Sequence, residues 1–125
     1  MNDPAKKILI IDDDHAMSTS IKNFLMIYGK YMIQNFQSVL GLKMLLKFTP
    51  DLIILDVKMP DKGGYEIGMN IKNNAGLKHI KIIEVSRVSG GIEAACMETF
   101  GADYYFEKPL DTHRFNKFVN KLIGH

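Results

Sequence analysis

Two patterns of apolar and polar positions alternate along the chain. Short runs such as "KILII" (7–11) and "DLIILD" (51–56) are almost uninterrupted apolar stretches, as expected of strands covered on both faces. "YMIQNF" (31–36), "IKIIEVS" (80–86) and "DYYFE" (103–107) complete a set of five predicted strands. Between them lie segments with apolar residues at helical spacing. "HAMSTSIKNFLMIYG" (15–29) puts Met17, Ile21, Phe24, Leu25 and Tyr28 on one face; Asp14 or a nearby serine is available to cap its start, and Gly29 suits its end. "SVLGLKMLLKFT" (38–49) reads as a helix stopped by Pro50, "GYEIGMNIKN" (64–73) as another, and "GIEAACMETFG" (91–101) as a fourth closed by Gly101. "DTHRFNKFVNKLI" (111–123) is the last, with Phe115, Phe118, Val119 and Leu122 on one face.

Regular β-α alternation predicts an α/β fold built on a parallel sheet. Right-handed crossovers then bring the C-terminal end of every strand to the same edge. Open α/β sheets bind ligands at that edge.

The residues predicted there are polar. Asp12 and Asp13 follow the first strand, Asp56 ends the third, Ser86 ends the fourth, and Lys108 follows the fifth, just before Pro109. Two like charges about 4 Å apart repel by roughly 4 kcal/mol at an effective dielectric near 20. Three acids therefore call for a cation among them. Oxygen donors without a His or Cys cluster favour Mg²⁺ or a similar hard ion, and such an ion together with Lys108 balances the three carboxylates. A carboxylate flanked by a hydroxyl, a lysine and a divalent ion suits a phosphoryl group, with Asp56 as the nucleophile that forms an acyl phosphate.

Composition acts mainly by exclusion. The 125 residues, 46% apolar and 24% charged, suit one domain over 1–125. A net charge of +2 is too mild to argue for direct nucleic-acid or membrane binding. The single cysteine, Cys96, rules out an internal disulfide and fits a reducing compartment. No apolar stretch approaches membrane-spanning length and "MNDPAKK" lacks a signal-peptide core, so a cytoplasmic protein is expected. His15, His79, His113 and His125 show no metal spacing, and Arg114, Lys117 and Lys121 read as the solvated face of the last helix. The helix over 38–49 is more apolar than core packing alone needs, which suggests a docking or dimer patch.

The stretches "IIDDD", "LDVKMPDKGGYE", "IIEVS" and "GADYYFEKPLD", in this order and spacing, resemble the receiver domain of two-component response regulators over nearly the whole chain. The resemblance implies a flavodoxin-like, doubly wound five-stranded parallel sheet of order 2-1-3-4-5 with five helices. It implies that Asp12, Asp13 and Asp56, with the backbone carbonyl of Lys58, hold Mg²⁺. It implies that Asp56 receives phosphate from a phosphohistidine on a histidine kinase or histidine phosphotransfer protein. Lys108 and Ser86 would serve that phosphoryl group. Ser86 and Tyr105 take the places of the switch hydroxyl and the switch aromatic. A downstream effector would read the face made by the helix over 91–101, the strand over 103–107 and the helix over 111–123. The expected activity is self-phosphorylation and autodephosphorylation rather than turnover of other substrates.

Three positions depart from the family pattern. Arg87 follows Ser86 where Ala or Gly is usual, Lys58 lies two residues after Asp56, and Gly63 stands where an acid is frequent. Arg87 and Lys58 together suggest a slowly decaying acyl phosphate. Competing readings are a Mg²⁺-dependent phosphatase of small phosphoesters, against which Lys58 counts, and a degenerate module that never takes phosphate. The chain is also compatible with a receiver domain excised from a larger DNA-binding regulator.

Overall fold

The computed structural model describes residues 5–12, 14–29, 31–36, 47–56, 71–77, 79–86, 103–107 and 110–124. Five strands form one sheet: β1 (Lys6–Ile11), β2 (Tyr31–Phe36), β3 (Leu52–Asp56), β4 (Lys81–Ser86) and β5 (Tyr104–Glu107). Their order is β2-β1-β3-β4-β5 and every pairing is parallel, as the β-α alternation and the family resemblance predict. Two long helices are described, α1 (His15–Tyr28) and α2 (Thr112–Ile123). Residues 47–48 and 71–73 are helical and end two of the other predicted helices. The remainder of those two, and the whole predicted helix over 91–101 with Cys96, lie outside the described residues.

The core explains why the central runs carry no alternation. Ile8, Ile10, Leu52, Ile54, Ile83, Val85 and Phe106 pack on one face of the sheet against Ile21 and Leu25 of α1 and Phe115, Val119 and Ile123 of α2. Leu9, Ile11, Ile53, Leu55 and Ile82 alternate with them along the strands and are equally buried, so the central strands are covered on both faces. β2 is an edge strand and departs from this pattern, with Met32 largely exposed. On α2 the predicted face is shifted: Ile123 joins the fully packed set, while Phe118 and Leu122 are partly buried.

Helix ends follow the local chemistry. Asp14 is the cap of α1, its Oδ1 accepting from Met17 N–H at 3.0 Å. Asp111 does the same for α2, accepting from Arg114 N–H at 3.1 Å. Gly29 closes α1 with an extended backbone, so its requirement is space, since a Cβ there would run into the Tyr31 ring. Ser18 ties α1 to β2: it is buried, donates to His15 O at 3.1 Å and accepts from Asn35 Nδ2 at 3.3 Å.

Register is set at the opposite edge by two aspartates of one design. Asp51 precedes β3; its N–H donates to Lys7 O at 2.8 Å and its Oδ2 accepts from Lys7 N–H at 2.9 Å. Asp103 precedes β5; its N–H donates to Ile82 O at 2.8 Å and its Oδ2 accepts from Ile82 N–H at 2.8 Å. Each carboxylate answers a backbone donor of the neighbouring strand at the point where regular pairing starts. Fixing register at that edge fixes which residues meet at the other.

Candidate functional site

The pairing of β1 with β3 runs from Ile8 with Leu52 to Ile11 with Leu55. The next residues on the two chains are Asp12 and Asp56. Both are buried, Asp12 completely and Asp56 to within 5% of its surface. Two carboxylates thus sit side by side at the C-terminal edge, each carried there by an apolar strand whose burial holds it in place. Asp12 N–H continues the β1–β2 ladder by donating to Phe36 O at 3.0 Å. Its Oδ1 accepts from Asp14 N–H at 2.9 Å, which aims the carboxylate at the turn leading into α1. The first turn of α1 holds no acid, so the partial positive charge of its N-terminus is left to the acids that precede it.

That charge works against the repulsion between two buried acids. Helix-terminus effects amount to about 0.3–1 kcal/mol, up to roughly 2 in partly buried geometry. Close like charges repel by roughly 4 kcal/mol at an intermediate dielectric. The donors are carboxylate oxygens, and this set fits a hard divalent cation such as Mg²⁺.

Ser86 is the last residue of β4 and pairs with Glu107 of β5. Tyr105 is half-buried in β5, in register with Glu84, two residues before Ser86. Asp13, Lys58 and Lys108 lie outside the described residues, as do Arg87 and Gly63. One residue escaped the sequence reading. Glu84 is a fully buried acid within β4, flanked in register by Leu55 and Tyr105. Its signal was the acid interrupting the apolar run "KIIEV", a position that a strand buried on both faces ordinarily gives to an aliphatic side chain.

The described geometry agrees with comparisons to known proteins. The polar-differentiation response regulator DivK of Brucella ovis is 23% identical over 119 residues, covering 95% of this chain and 97% of that protein. A CheY-like response regulator receiver domain protein from Methanospirillum hungatei JF-1 superposes with a TM-score of 0.85 at 26% identity, covering 94% of this chain and 93% of that one. The Vibrio cholerae chemotaxis protein CheY4 shares the fold, with a TM-score of 0.87 at 21% identity over 96% of this chain and all of its own. No helix among the described residues is long and apolar enough to cross a membrane. The model of the response regulator receiver domain matches residues 8–120, and the chain belongs to that family, whose general function is a switch driven by phosphorylation of an aspartate.

Proposed function

We propose that Asp56 is the phospho-acceptor of this receiver domain and that Asp12, Asp13, Asp56 and the Lys58 carbonyl hold Mg²⁺. The observation that carries this reading is the side-by-side burial of Asp12 and Asp56 at the C-terminal edge of β1 and β3. A carboxylate oxygen of Asp56 attacks the phosphorus of a phosphohistidine presented by a histidine kinase or phosphotransfer protein. The new O–P bond forms as the N–P bond breaks, and the imidazole nitrogen leaves with its electron pair. When bound, the metal neutralises charge on the transferring oxygens. Lys108 supplies a positive donor to those oxygens, and Ser86 supplies a hydroxyl.

The switch is local. Phosphorylation adds roughly one further negative charge and three acceptor oxygens at Asp56. Ser86 is drawn toward the new oxygens, and Tyr105 occupies the space released. A downstream effector reads the resulting change on the face that includes β5 and α2, so phosphate biases a two-state equilibrium of an existing fold. Arg87 restricts entry of water to the acyl phosphate and Lys58 occupies the position whose side chain influences loss of the phosphoryl group, which together give it a long lifetime. The test is incubation with a small phosphodonor with and without Mg²⁺, followed by intact-mass measurement. The expected result is one phosphoryl group added only with Mg²⁺, and none on Asp56→Asn. Undiminished labelling of Asp56→Asn overturns the assignment.

A further inference from the structure

We propose that Ser18 and Asn35 are positioning residues for the Asp12 carboxylate; this rests on the reading that Asp12 helps to hold Mg²⁺. Ser18 is a polar interruption of an apolar helix face. It lies three residues before Ile21 and seven before Leu25, so the three share one side of α1, and all three are buried, Ser18 to within 1% of its surface. A buried position on such a face ordinarily takes an aliphatic side chain, and serine is a poorer helix former than alanine. The hydroxyl has two partners instead. It donates to His15 O at 3.1 Å within α1, and it accepts from Asn35 Nδ2 at 3.3 Å across to β2.

These bonds close a ring that passes through Asp12. Asn35 stands in β2 in register with Ile10 of β1. Phe36 follows it, and the Phe36 carbonyl accepts from Asp12 N–H at 3.0 Å. Asp12 Oδ1 accepts from Asp14 N–H at 2.9 Å. Asp14 is in turn fixed by the start of α1: its backbone oxygen accepts from Ser18 N–H and its Oδ1 from Met17 N–H, each at 3.0 Å. Ser18 then returns the path to Asn35.

The Ser18–Asn35 bond ties the start of α1 to β2, and its direction matters more than its strength. Apolar contacts such as those of Ile21 and Leu25 hold α1 against the sheet, but burial is non-directional and leaves the helix start free to shift by small amounts. A hydrogen bond between side chains of the two elements removes that freedom. The donor on Asp12 Oδ1 is the amide of Asp14, the residue that caps α1, so a shift of the helix start is passed directly to the carboxylate. Site groups need holding to within about 0.5 Å of their working geometry. Residues that orient a metal ligand without touching the metal typically cost about tenfold or more in affinity when removed.

The experiment is an amide NMR titration with Mg²⁺ of the whole chain, Ser18→Ala, Asn35→Ala and the double variant, with thermal melts of each in EDTA. Dispersed spectra report that the variants fold. Each single variant is expected to bind Mg²⁺ roughly tenfold more weakly than the parent. The double variant is expected to bind no more weakly than either single one, because both substitutions open the same ring. In EDTA the Asp14 amide proton moves upfield in all three variants as its bond to Asp12 loosens. A merely structural role lowers the melting temperature while leaving the dissociation constant and the Asp14 amide at parent values, and that result overturns the proposal. Losses of affinity that add in the double variant overturn it as well. A parent that takes up no Mg²⁺ removes the metal reading of the site; the Asp14 amide in EDTA then decides the positioning of Asp12 alone, upheld by the upfield shift and overturned by its absence.

Discussion

Asp12 and Asp56 occupy one step of the sheet, each the residue that follows the paired Ile11 and Leu55. Placing two carboxylates there costs folding energy, which the proposed Mg²⁺ would return on binding. Asp12→Asn removes one charge yet keeps an oxygen to accept from Asp14 N–H, now at 2.9 Å. In EDTA the variant is expected to be more stable than the parent by about 1 kcal/mol, a rise of roughly 2–8 °C in melting temperature. Mg²⁺ at tenfold over its dissociation constant stabilises the parent by about 1.4 kcal/mol and leaves the variant nearly unchanged. Thermal melts of both proteins in EDTA and in Mg²⁺ check this; a variant that melts lower in EDTA shows that charge repulsion is not what strains the site.

The clasps at the other edge make a second expectation. Asp103 Oδ2 accepts from Ile82 N–H at 2.8 Å and lies 3.6 Å from Lys72 Nζ, while Lys81 Nζ is 3.9 Å from its Oδ1. Asp103→Ala leaves a backbone donor of β4 without its carboxylate and is expected to cost about 1–3 kcal/mol. Asp103→Asn keeps an acceptor and loses only the ion pairs, so it costs roughly 1 kcal/mol or less. Asp51→Ala, which strips the same device from Lys7 N–H, belongs with Asp103→Ala. Urea unfolding ranks the three, and an Asn variant as damaged as Ala would move the weight from the hydrogen bond to the charges.

These clasps also mark where sequence reading stops. The strands over 31–36 and 7–11 were legible because apolar runs bounded by polar residues have few other readings, and the edge holding Asp12 and Asp56 followed from β-α alternation alone. The sequence pattern places Asp51 and Asp103 only as first residues of strands. Their side chains bond across sequence separations of 44 and 21 residues, and such contacts depend on register that no local pattern encodes. Ile123 lies outside the predicted core face of α2 for a related reason: the helix runs to its last residue against the sheet, whereas periodicity is weakest at an end. The burial of Glu84 is not legible in sequence, because a strand pattern gives no burial for a single acid within it.

Tyr31 supplies a pH dependence. Its ring lies against Gly29, and burial raises its phenol above the ordinary value of 10.0. The folded chain therefore keeps the phenolic proton at pH values where the unfolded chain has lost it. The corresponding stability is whole below pH 10 and is lost as pH rises through the folded value. Tyr31→Phe is expected to flatten this alkaline fall. At neutral pH it changes little, about 0.5 kcal/mol or less, because the hydroxyl's contact with Asn120 Oδ1 is long at 3.5 Å. Melting temperatures of both proteins across the alkaline range decide it; parallel curves would assign the fall to other groups.

Thr49 holds a left-handed backbone, with φ of 50°, between the helical residues 47–48 and the buried Pro50. A β-branched residue there costs about 1–2 kcal/mol. Its hydroxyl repays part of that, donating to Phe48 O at 2.7 Å and accepting from Lys7 Nζ at 3.2 Å. The two effects separate by substitution. Thr49→Asn tolerates the left-handed conformation and keeps an acceptor for Lys7, so it is expected to gain roughly 0.5–1 kcal/mol. Thr49→Gly relieves the backbone but loses the hydroxyl and frees the unfolded chain, and comes out near neutral. Thr49→Val keeps the strain without the hydroxyl and loses roughly 1 kcal/mol. Urea midpoints at constant slope give the order Asn, then Gly and the parent together, then Val. A Val variant as stable as the parent would show that the hydroxyl contributes nothing, and an Asn variant below the parent would show that the backbone at this turn is not strained.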